Sequence, residues 1–226
     1  MQTLQGNQGL DIQAHEKLQS TSRRTHLSTM TVLGAPGEVF LLTHSVLGSH
    51  LGLPTSAQVT LIDPITLTTR AQSPRLAGGP MWPGGMAILG NGHVLVVYGR
   101  HAHLLNRQCV LLQSKQLPLH EPYNSFVVLA NGLVVTKNIS DTTPARLSVL
   151  HPDTLEPMAS DMDCSEPSIA RLSAHGNTVY VVGISSVVRY HWDEAQSCLV
   201  QDATWSYHYL KDAKQSYGWD MVLTTH

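Results

Sequence analysis

The chain repeats one pattern of hydrophobic and polar positions. In residues 121–137 an apolar run leads into the dipeptide Asn131-Gly132, and a second apolar run follows it. Asn and Gly adopt positive φ at low cost, so this pattern predicts a β-hairpin with a tight turn. Residues 84–97 and 168–182 carry the same pattern. The repetition predicts a protein built from similar hairpins, one after another.

Each hairpin is followed by two further short strands that are joined by a polar turn. In the first unit these strands are predicted at 58–62 and 67–70, around a turn that begins at Asp63-Pro64. A Pro after Asp is typical of a type I turn. Residues 151–155 repeat this turn almost literally. The predicted organisation is a polar tail at 1–27 and blade-like units at 28–77, 78–119, 120–164 and 165–210, with 217–226 starting another.

Four short strands in every 40 to 50 residues or so are the period of a β-propeller blade. The hairpin glycines are spaced by 55, 40 and 44 residues, and a Gly- and Pro-rich loop at 45–56 explains the longer first interval. One blade cannot bury both of its faces alone, so blades stack around a common axis. A two-sheet sandwich is the alternative, but it does not predict the repeated turns. We therefore expect an all-β chain that forms a β-propeller of about four four-stranded blades.

The final segment, 217–226, repeats the pattern of an inner strand without the turn that should follow it. It either begins a fifth blade of a larger ring or supplies a strand to the first blade. Because the first unit already has four predicted strands, we expect a fifth blade that is only begun, and an incomplete ring. An open ring leaves apolar blade faces uncovered, which predicts self-association through those faces.

Composition narrows the class of partner. Charged residues make up 13% of the chain, about half of the usual roughly 25%, and the formal net charge is -2. Without a longer basic run than Arg23-Arg24, the sequence lacks the electrostatic signature of a nucleic-acid or anionic-membrane protein. It also lacks a signal peptide and any apolar stretch of the roughly 18 to 20 residues that a membrane span requires. We expect a soluble cytoplasmic protein.

Cysteine and histidine spacing gives little support for a transition-metal site. Cys109, Cys164 and Cys198 are far apart, which predicts buried free thiols in a reducing compartment. His101 and His103 alternate on a predicted strand and therefore share one face. A third metal ligand is not identifiable, so we expect a solvated pair at a sheet edge rather than a metal centre.

Candidate ligand contacts lie where the chain begins each inner strand, because these segments face the central channel of a propeller. They are Trp82, Glu121, Tyr123, Asn124, Glu166, Ser168 and Asp220. Carboxylate and amide oxygens that converge on one axis suit a hard cation such as Ca²⁺, and the oxygen ligands would be Glu121, Asn124, Glu166 and Asp220. The plainer interpretation is that each Glu-Pro pair is only a polar start to a strand.

The repeated blade pattern over residues 29–226 resembles the broad propeller superfamily that includes senescence-marker/gluconolactonase-like, strictosidine-synthase-like and quinoprotein-like proteins. In the calcium-dependent lactonases of that group, a Pro-Asn-Gly segment supplies an Asn ligand. Here Pro122 and Asn124 are separated by one residue, whereas the equivalent positions of other units hold Gly84 and Ser168. The resemblance therefore implies a calcium ligand at Asn124. The docking motif of the quinoproteins is not visible, so no quinone is implied.

No motif in the sequence identifies a substrate or a reaction. The sequence therefore leaves open whether the chain is an enzyme. We expect a scaffold that binds a small molecule or a protein at the mouth of the central channel. The alternative is a divalent-metal-dependent hydrolase of lactonase type, with Ca²⁺ as the cofactor. The two differ in one measurable property, because a metal site must gain stability from its metal by mass action.

Overall fold

The computed structural model describes residues 27–45, 56–78, 83–119, 121–139, 144–164, 171–183 and 186–208. Within these ranges every regular element is a β-strand. None of the described segments is a long apolar helix of the kind that crosses a membrane. Of the tail predicted at 1–27, only Leu27 is described, and it begins the first strand. The segment 217–226 lies outside the described residues, so the prediction of a fifth blade stays a prediction. The prediction of an all-β chain is confirmed.

The strands of the described segments form four antiparallel sheets in chain order. Sheet 1 contains β1 (Leu27–Leu33), β2 (Val39–Ser45), β3 (Ser56–Ile62), β4 (Thr69–Gln72) and β5 (Leu76–Ala77). Sheet 2 contains β6 (Pro83–Ile88), β7 (Val94–Tyr98), β8 (His101–Leu105) and β9 (Leu111–Gln116). Sheet 3 contains β10 (Tyr123–Val128), β11 (Val134–Asn138), β12 (Arg146–Leu150) and β13 (Met162–Asp163). Sheet 4 contains β14 (Arg171–His175), β15 (Thr178–Val182), β16 (Ser186–Asp193) and β17 (Cys198–His208).

The outer strand of sheet 1 is interrupted, which explains why that sheet has five elements. Both β4 and β5 pair with β3. Between them the Val59 amide donates to the Ser73 hydroxyl at 3.0 Å, and the Ser73 amide donates to the Val59 carbonyl at 2.8 Å. The side chain thus replaces one bond of the ladder. The two elements act as one outer strand, so each sheet has the four-stranded plan of a blade.

The turns follow the sequence pattern closely. The four hairpin glycines, Gly37, Gly92, Gly132 and Gly176, all have positive φ, between 59° and 89°. The repeated outer turns also share a conformation, since Leu67 and Leu155 have φ of 53° and 55°. Each of these leucines donates its amide hydrogen at 2.9 Å to the carbonyl at the start of its turn. Because a bulky residue with positive φ is uncommon, the shared strain is a signature of the repeat.

The sheets pack face to face in chain order, and their inner strands are neighbours: β6 contacts β1 and β10, and β10 contacts β14. Alternate residues of β7 show why. Val94 and Val96 belong to the apolar cluster shared with sheet 1, while Leu95 and Val97 belong to the cluster shared with sheet 3. Successive side chains of a strand point to opposite faces, so a sheet between two others must be apolar on both. We call the contacts between sheets 1 and 2, 2 and 3, and 3 and 4 the first, second and third seams.

A second set of contacts joins the turns of consecutive sheets. A side chain in the hairpin turn of one sheet bonds to the outer turn of the next sheet. The pairs are Glu38 with Arg107, Asn91 with Asp153 at 2.6 Å and Asn131 with Glu194 at 3.0 Å. The same joint is therefore made three times by different residue types, once as an ion pair and twice through an Asn amide.

The expectation of a solvated histidine pair is wrong. Val96 pairs with His103, so the register points both histidines of β8 into the first seam. His103 is only 1% exposed, and its Nε2 lies 2.6 Å from the Ala77 carbonyl of β5. The expectation failed because sheet 1 covers this face. All three cysteines are free, and the prediction of buried thiols is confirmed for Cys109 and Cys164 but is wrong for Cys198, which is half-buried.

Candidate functional site

Three of the seven residues predicted to contact a ligand belong to the described part of the chain. Glu121, Tyr123 and Asn124 lie together at the start of β10. The other four, Trp82, Glu166, Ser168 and Asp220, lie outside the described residues. The structure therefore gives the surroundings of Glu121 and Asn124 but not of the complete set of predicted calcium ligands.

Asn124 occupies a β-bulge. Tyr123 pairs with Asn138 and Ser125 pairs with Lys137, so Asn124 is an extra residue with no opposite number on β11. The same irregularity occurs at Gly84 in β6. A bulge bends the strand and changes the direction of the side chain that it carries, and bulges are common beside functional sites. Sheets 2 and 3 both have this bulge. Its extra residue is a glycine in sheet 2 and an asparagine, with an amide side chain, in sheet 3.

The bulge is fixed by bonds from sheet 4. An Arg171 Nη donates to the Asn124 carbonyl at 2.9 Å, and the Leu172 amide donates to the Ser125 hydroxyl at 3.0 Å. Asn124 and Ser125 are 6% and 5% exposed. These two bonds hold the first residues of β10 and β14 at a set distance, so the Asn124 backbone is positioned by both sheets.

Lys137 is the most unusual residue of this region. Its side chain is fully buried, and its ammonium donates to the Asn138 carbonyl at 3.1 Å. Lysine is almost never fully buried unless it is paired, because an ammonium loses its hydration there. Sequence reasoning missed it, although a signal is present. At the fifth position after the hairpin glycine, sheets 1, 2 and 3 carry Leu42, Val97 and Lys137, so the lysine replaces an apolar residue of the repeat.

Asn138 and Glu121 complete the polar group. Asn138 is 2% exposed; its Oδ1 accepts a bond from the Arg146 amide at 2.6 Å, and its Nδ2 donates to a Glu121 carboxylate oxygen at 3.4 Å. The Asn138 amide thus links the end of β11 to the segment that precedes β10. Since one of its oxygens faces Asn138, the half-buried Glu121 carboxylate has a preferred orientation.

Tyr123 is placed differently from its two neighbours. It is fully buried within the apolar cluster of the second seam, and its hydroxyl accepts a bond from the Leu119 amide at 3.3 Å. Burial raises the pKa of Tyr123 to about 12. Its backbone amide also donates to the Gly99 carbonyl of sheet 2 at 2.7 Å. Tyr123 joins sheets 2 and 3, and a direct ligand contact stays a prediction.

These residues define what we call the polar cluster: Glu121, Asn124, Ser125, Lys137, Asn138 and Arg171. It contains two cations, one carboxylate, two amides and one hydroxyl at one end of sheets 3 and 4. A few well-placed polar groups of this kind orient a ligand by hydrogen bonds. In the described part of the chain, no group of three or more His, Cys, Asp or Glu side chains is arranged to hold a metal ion.

No protein-family model matches the chain, and a search of curated proteins gives no match. Solved structures do match. A virginiamycin B lyase from Staphylococcus aureus is 10% identical, with a TM-score of 0.55 over 79% of this chain and 59% of that one. A protein of unknown function from Desulfotomaculum acetoxidans is 17% identical, with a TM-score of 0.56 over 84% and 60%. Hydrazine synthase from Kuenenia stuttgartiensis is 12% identical, with a TM-score of 0.54 over 76% and 46%.

At these identities the likeness concerns the fold alone. The chain spans between 46% and 60% of the length of these three structures. The propeller-type neighbours agree with the four antiparallel sheets, their packing in chain order and their shared turns. The chain has a β-propeller fold.

Proposed function

We propose that this chain is a non-catalytic scaffold that binds a polar small molecule or a protein segment through the polar cluster. The observation that carries the proposal is the complete burial of Lys137. At the equivalent position sheets 1 and 2 use Leu42 and Val97, so an apolar residue satisfies the fold there. Groups that do not serve stability are common where a protein binds or reacts.

The geometry around Lys137 supports binding rather than simple packing. The bulge at Asn124, the bond from Arg171 and the bond from Asn138 to Glu121 fix several polar groups before any ligand arrives. Preorganised groups lose less conformational entropy when a ligand binds, which strengthens binding.

The experiment is a thermal-shift screen of the whole chain with small sugars, sugar acids and amino acids. The variants are Asn124→Ala and Lys137→Met, with Lys115→Met as the matched control, because Lys115 lies on β9 and pairs with Glu156. A compound that raises Tm of the wild type and of the control, but not of the two variants, supports the proposal. Compounds that act equally on all four proteins, or none that raises Tm at all, would contradict it. Far-UV circular dichroism establishes that each variant is folded.

The divalent-metal-dependent hydrolase is the second candidate, and one observation favours it. Asn124, the residue that the resemblance implies as a calcium ligand, lies on a bulge that redirects its side chain. The test is a thermal melt with millimolar Ca²⁺ or with EDTA, together with an assay of gluconolactone hydrolysis. A rise in Tm with Ca²⁺ and a calcium-dependent rate, both lost in Glu121→Ala, would replace the scaffold by the hydrolase. A melt that is indifferent to Ca²⁺, with no hydrolysis, would eliminate it.

A further inference from the structure

The first seam holds a group of imidazoles inside an otherwise apolar cluster. The rings of His101 and His103 stack with centroids 5.9 Å apart and planes 11° from parallel. Across the seam, the ring of His44 on β2 lies 5.7 Å from that of Tyr98. His44 and His103 are 4% and 1% exposed, and they are the two histidines that are buried among the described residues. Buried imidazoles are therefore confined to this seam in the described part of the chain.

The bonds of His103 favour its neutral form. Its Nε2 faces the Ala77 carbonyl at 2.6 Å, so this nitrogen carries the hydrogen and donates it. The other ring nitrogen, Nδ1, is buried and has no hydrogen-bond partner among the described residues. A second proton would have to go on Nδ1, for which the described residues provide no acceptor. A charged imidazolium at this position is costly.

No described carboxylate lies beside His103 to compensate that charge. The cluster of the first seam that surrounds it is apolar, with Phe40, Leu42 and Val59 from sheet 1 and Met86 and Val96 from sheet 2, and only burial, the Ala77 carbonyl and His101 act on its charge. The charged pair on this seam, Glu38 with Arg107, lies at the hairpin-turn end and is satisfied internally. His101, whose Nδ1 lies 3.3 Å from the Gly78 carbonyl, is the nearest titratable neighbour.

We propose that the first seam is a pH-sensitive joint, in which protonation of His103 loosens sheet 1 from sheet 2 under mildly acidic conditions. His101 and His103 both bond to carbonyls at the end of the outer strand of sheet 1. The cost of burying the charge of the His103 imidazolium acts on this contact first. The second and third seams have no buried histidine among the described residues, and they keep their packing.

The direction of the pH effect follows from the pKa of His103. Burial lowers that pKa below 6.5, and the proximity of His101 lowers it further, against the raising effect of the bond to Ala77. Between the lowered value and about 6.5 the opened seam binds more protons than the closed one. The closed seam is thus fully stable above about pH 6.5 and loses stability as pH falls below it. One proton changes the opening equilibrium by up to about tenfold per pH unit.

Native-state hydrogen exchange of the wild-type chain, read by mass spectrometry at about pH 7.5 and about pH 5.5, tests this joint. After correction for intrinsic exchange, peptides from β2 and β3 should lose up to about tenfold of their protection per pH unit below 6.5, while β15 and β16 change by less than about twofold. His103→Gln keeps a donor for the Ala77 carbonyl but takes no proton in this range, so its sheet 1 should be indifferent to pH. His175→Gln, on an exposed position of β14, is the matched control and should respond like the wild type.

Equal loss of protection in sheets 1 and 4, or an undiminished pH response in His103→Gln, would overturn the proposal. If His103→Gln does not fold, an NMR titration of the wild-type imidazoles decides instead. A midpoint for His103 below that of His175 supports the joint. A midpoint at or above about 6.5 refutes it, because protonation would then not oppose the closed seam.

Discussion

The first and third seams are products of the same repeat, yet they place their polar side chains differently. The first seam buries His44 and His103 within its apolar cluster. The third seam is apolar through its middle, with Tyr190 fully buried, and it gathers its polar residues at one end around Lys137. An imidazole is the side chain whose ordinary pKa lies near neutral pH, and only the first seam buries imidazoles in the described part of the chain. The repeat thus determines how the sheets stack, and single positions determine how each seam responds to its surroundings.

The apolar parts of the two seams should contribute alike, and their removal gives the largest expected effect. Phe40 in the first seam is fully buried, and Trp192 in the third is 7% exposed. Phe40→Ala and Trp192→Ala should each lower the free energy of unfolding by about 3–5 kcal/mol through lost burial and a residual cavity. Urea denaturation measures this, and Ile65→Ala, at an 86% exposed position, serves as the control. A loss below about 1 kcal/mol in one variant would mean that its seam lies outside the cooperative unit.

The second seam, between them, depends on a close approach of inner strands. A Cβ on Gly84 would lie 2.9 Å from Val97 Cγ1 and 3.1 Å from the Tyr123 carbonyl oxygen. Gly84→Ala should therefore force β6 away from β10 and cost about 1–3 kcal/mol. Gly90→Ala is the matched control, since a Cβ there meets nothing within 4 Å. Thermal unfolding of the two variants is the measurement. Equal Tm values would show that the inner strands can move apart without a loss of stability.

A smaller effect is expected where the third seam becomes polar. Ser125→Ala removes the acceptor of the Leu172 amide and leaves that donor buried, at a cost of about 1–2 kcal/mol. Ser206→Ala, on the exposed part of β17, should change stability by less than about 0.5 kcal/mol. Urea denaturation is again the measurement. An unchanged Ser125→Ala would indicate that another group takes over the Leu172 amide.

The smallest expected effect is the acid sensitivity of a surface carboxylate, which occurs at a lower pH than the opening of the histidine joint. Bonds from Thr204 and from Arg189 lower the pKa of Asp202 from 3.8 to about 2. Because the folded-state pKa is the lower one, its stabilisation is present above pH 3.8 and disappears as pH falls towards 2. Asp202→Asn should be slightly less stable than the wild type at neutral pH, with a difference that closes between those two values. Thermal melts across this range measure it. If the difference in stability between the variant and the wild type disappeared near pH 6 instead, another titrating group would be its cause.

The strands and turns could be predicted from the sequence because they depend on local signals. Alternation of apolar residues, the hairpin glycines and the repeated outer turns predicted the elements, and the strand predicted at 58–62 ends where β3 ends, at Ile62. The start of β4 was placed two residues early because Leu67 has the positive φ of a turn residue. Similarly, β9 begins at Leu111 because Cys109, at φ 60°, still belongs to the preceding turn.

The site was less predictable, because it depends on which sheet covers which face. Glu121 and Asn124 were predicted from their place where an inner strand begins, and their contact with a ligand stays a prediction. Lys137 looked like one polar residue at the end of an apolar run. Its burial requires knowledge that sheet 4 packs on that side of β11. His103 was misplaced for the same reason, since the register that turns it into the first seam is a tertiary fact.

The bonds between consecutive turns, from Glu38 to Arg107, from Asn91 to Asp153 and from Asn131 to Glu194, bear on how the chain assembles. Each joins a sheet to the one made directly after it, so no sheet has to wait for a distant part of the chain to secure its turn. Repeats with nearest-neighbour contacts fold by propagation from wherever they nucleate. During synthesis, which adds about 5–20 residues per second, each sheet can dock on its predecessor within seconds of emerging from the ribosome.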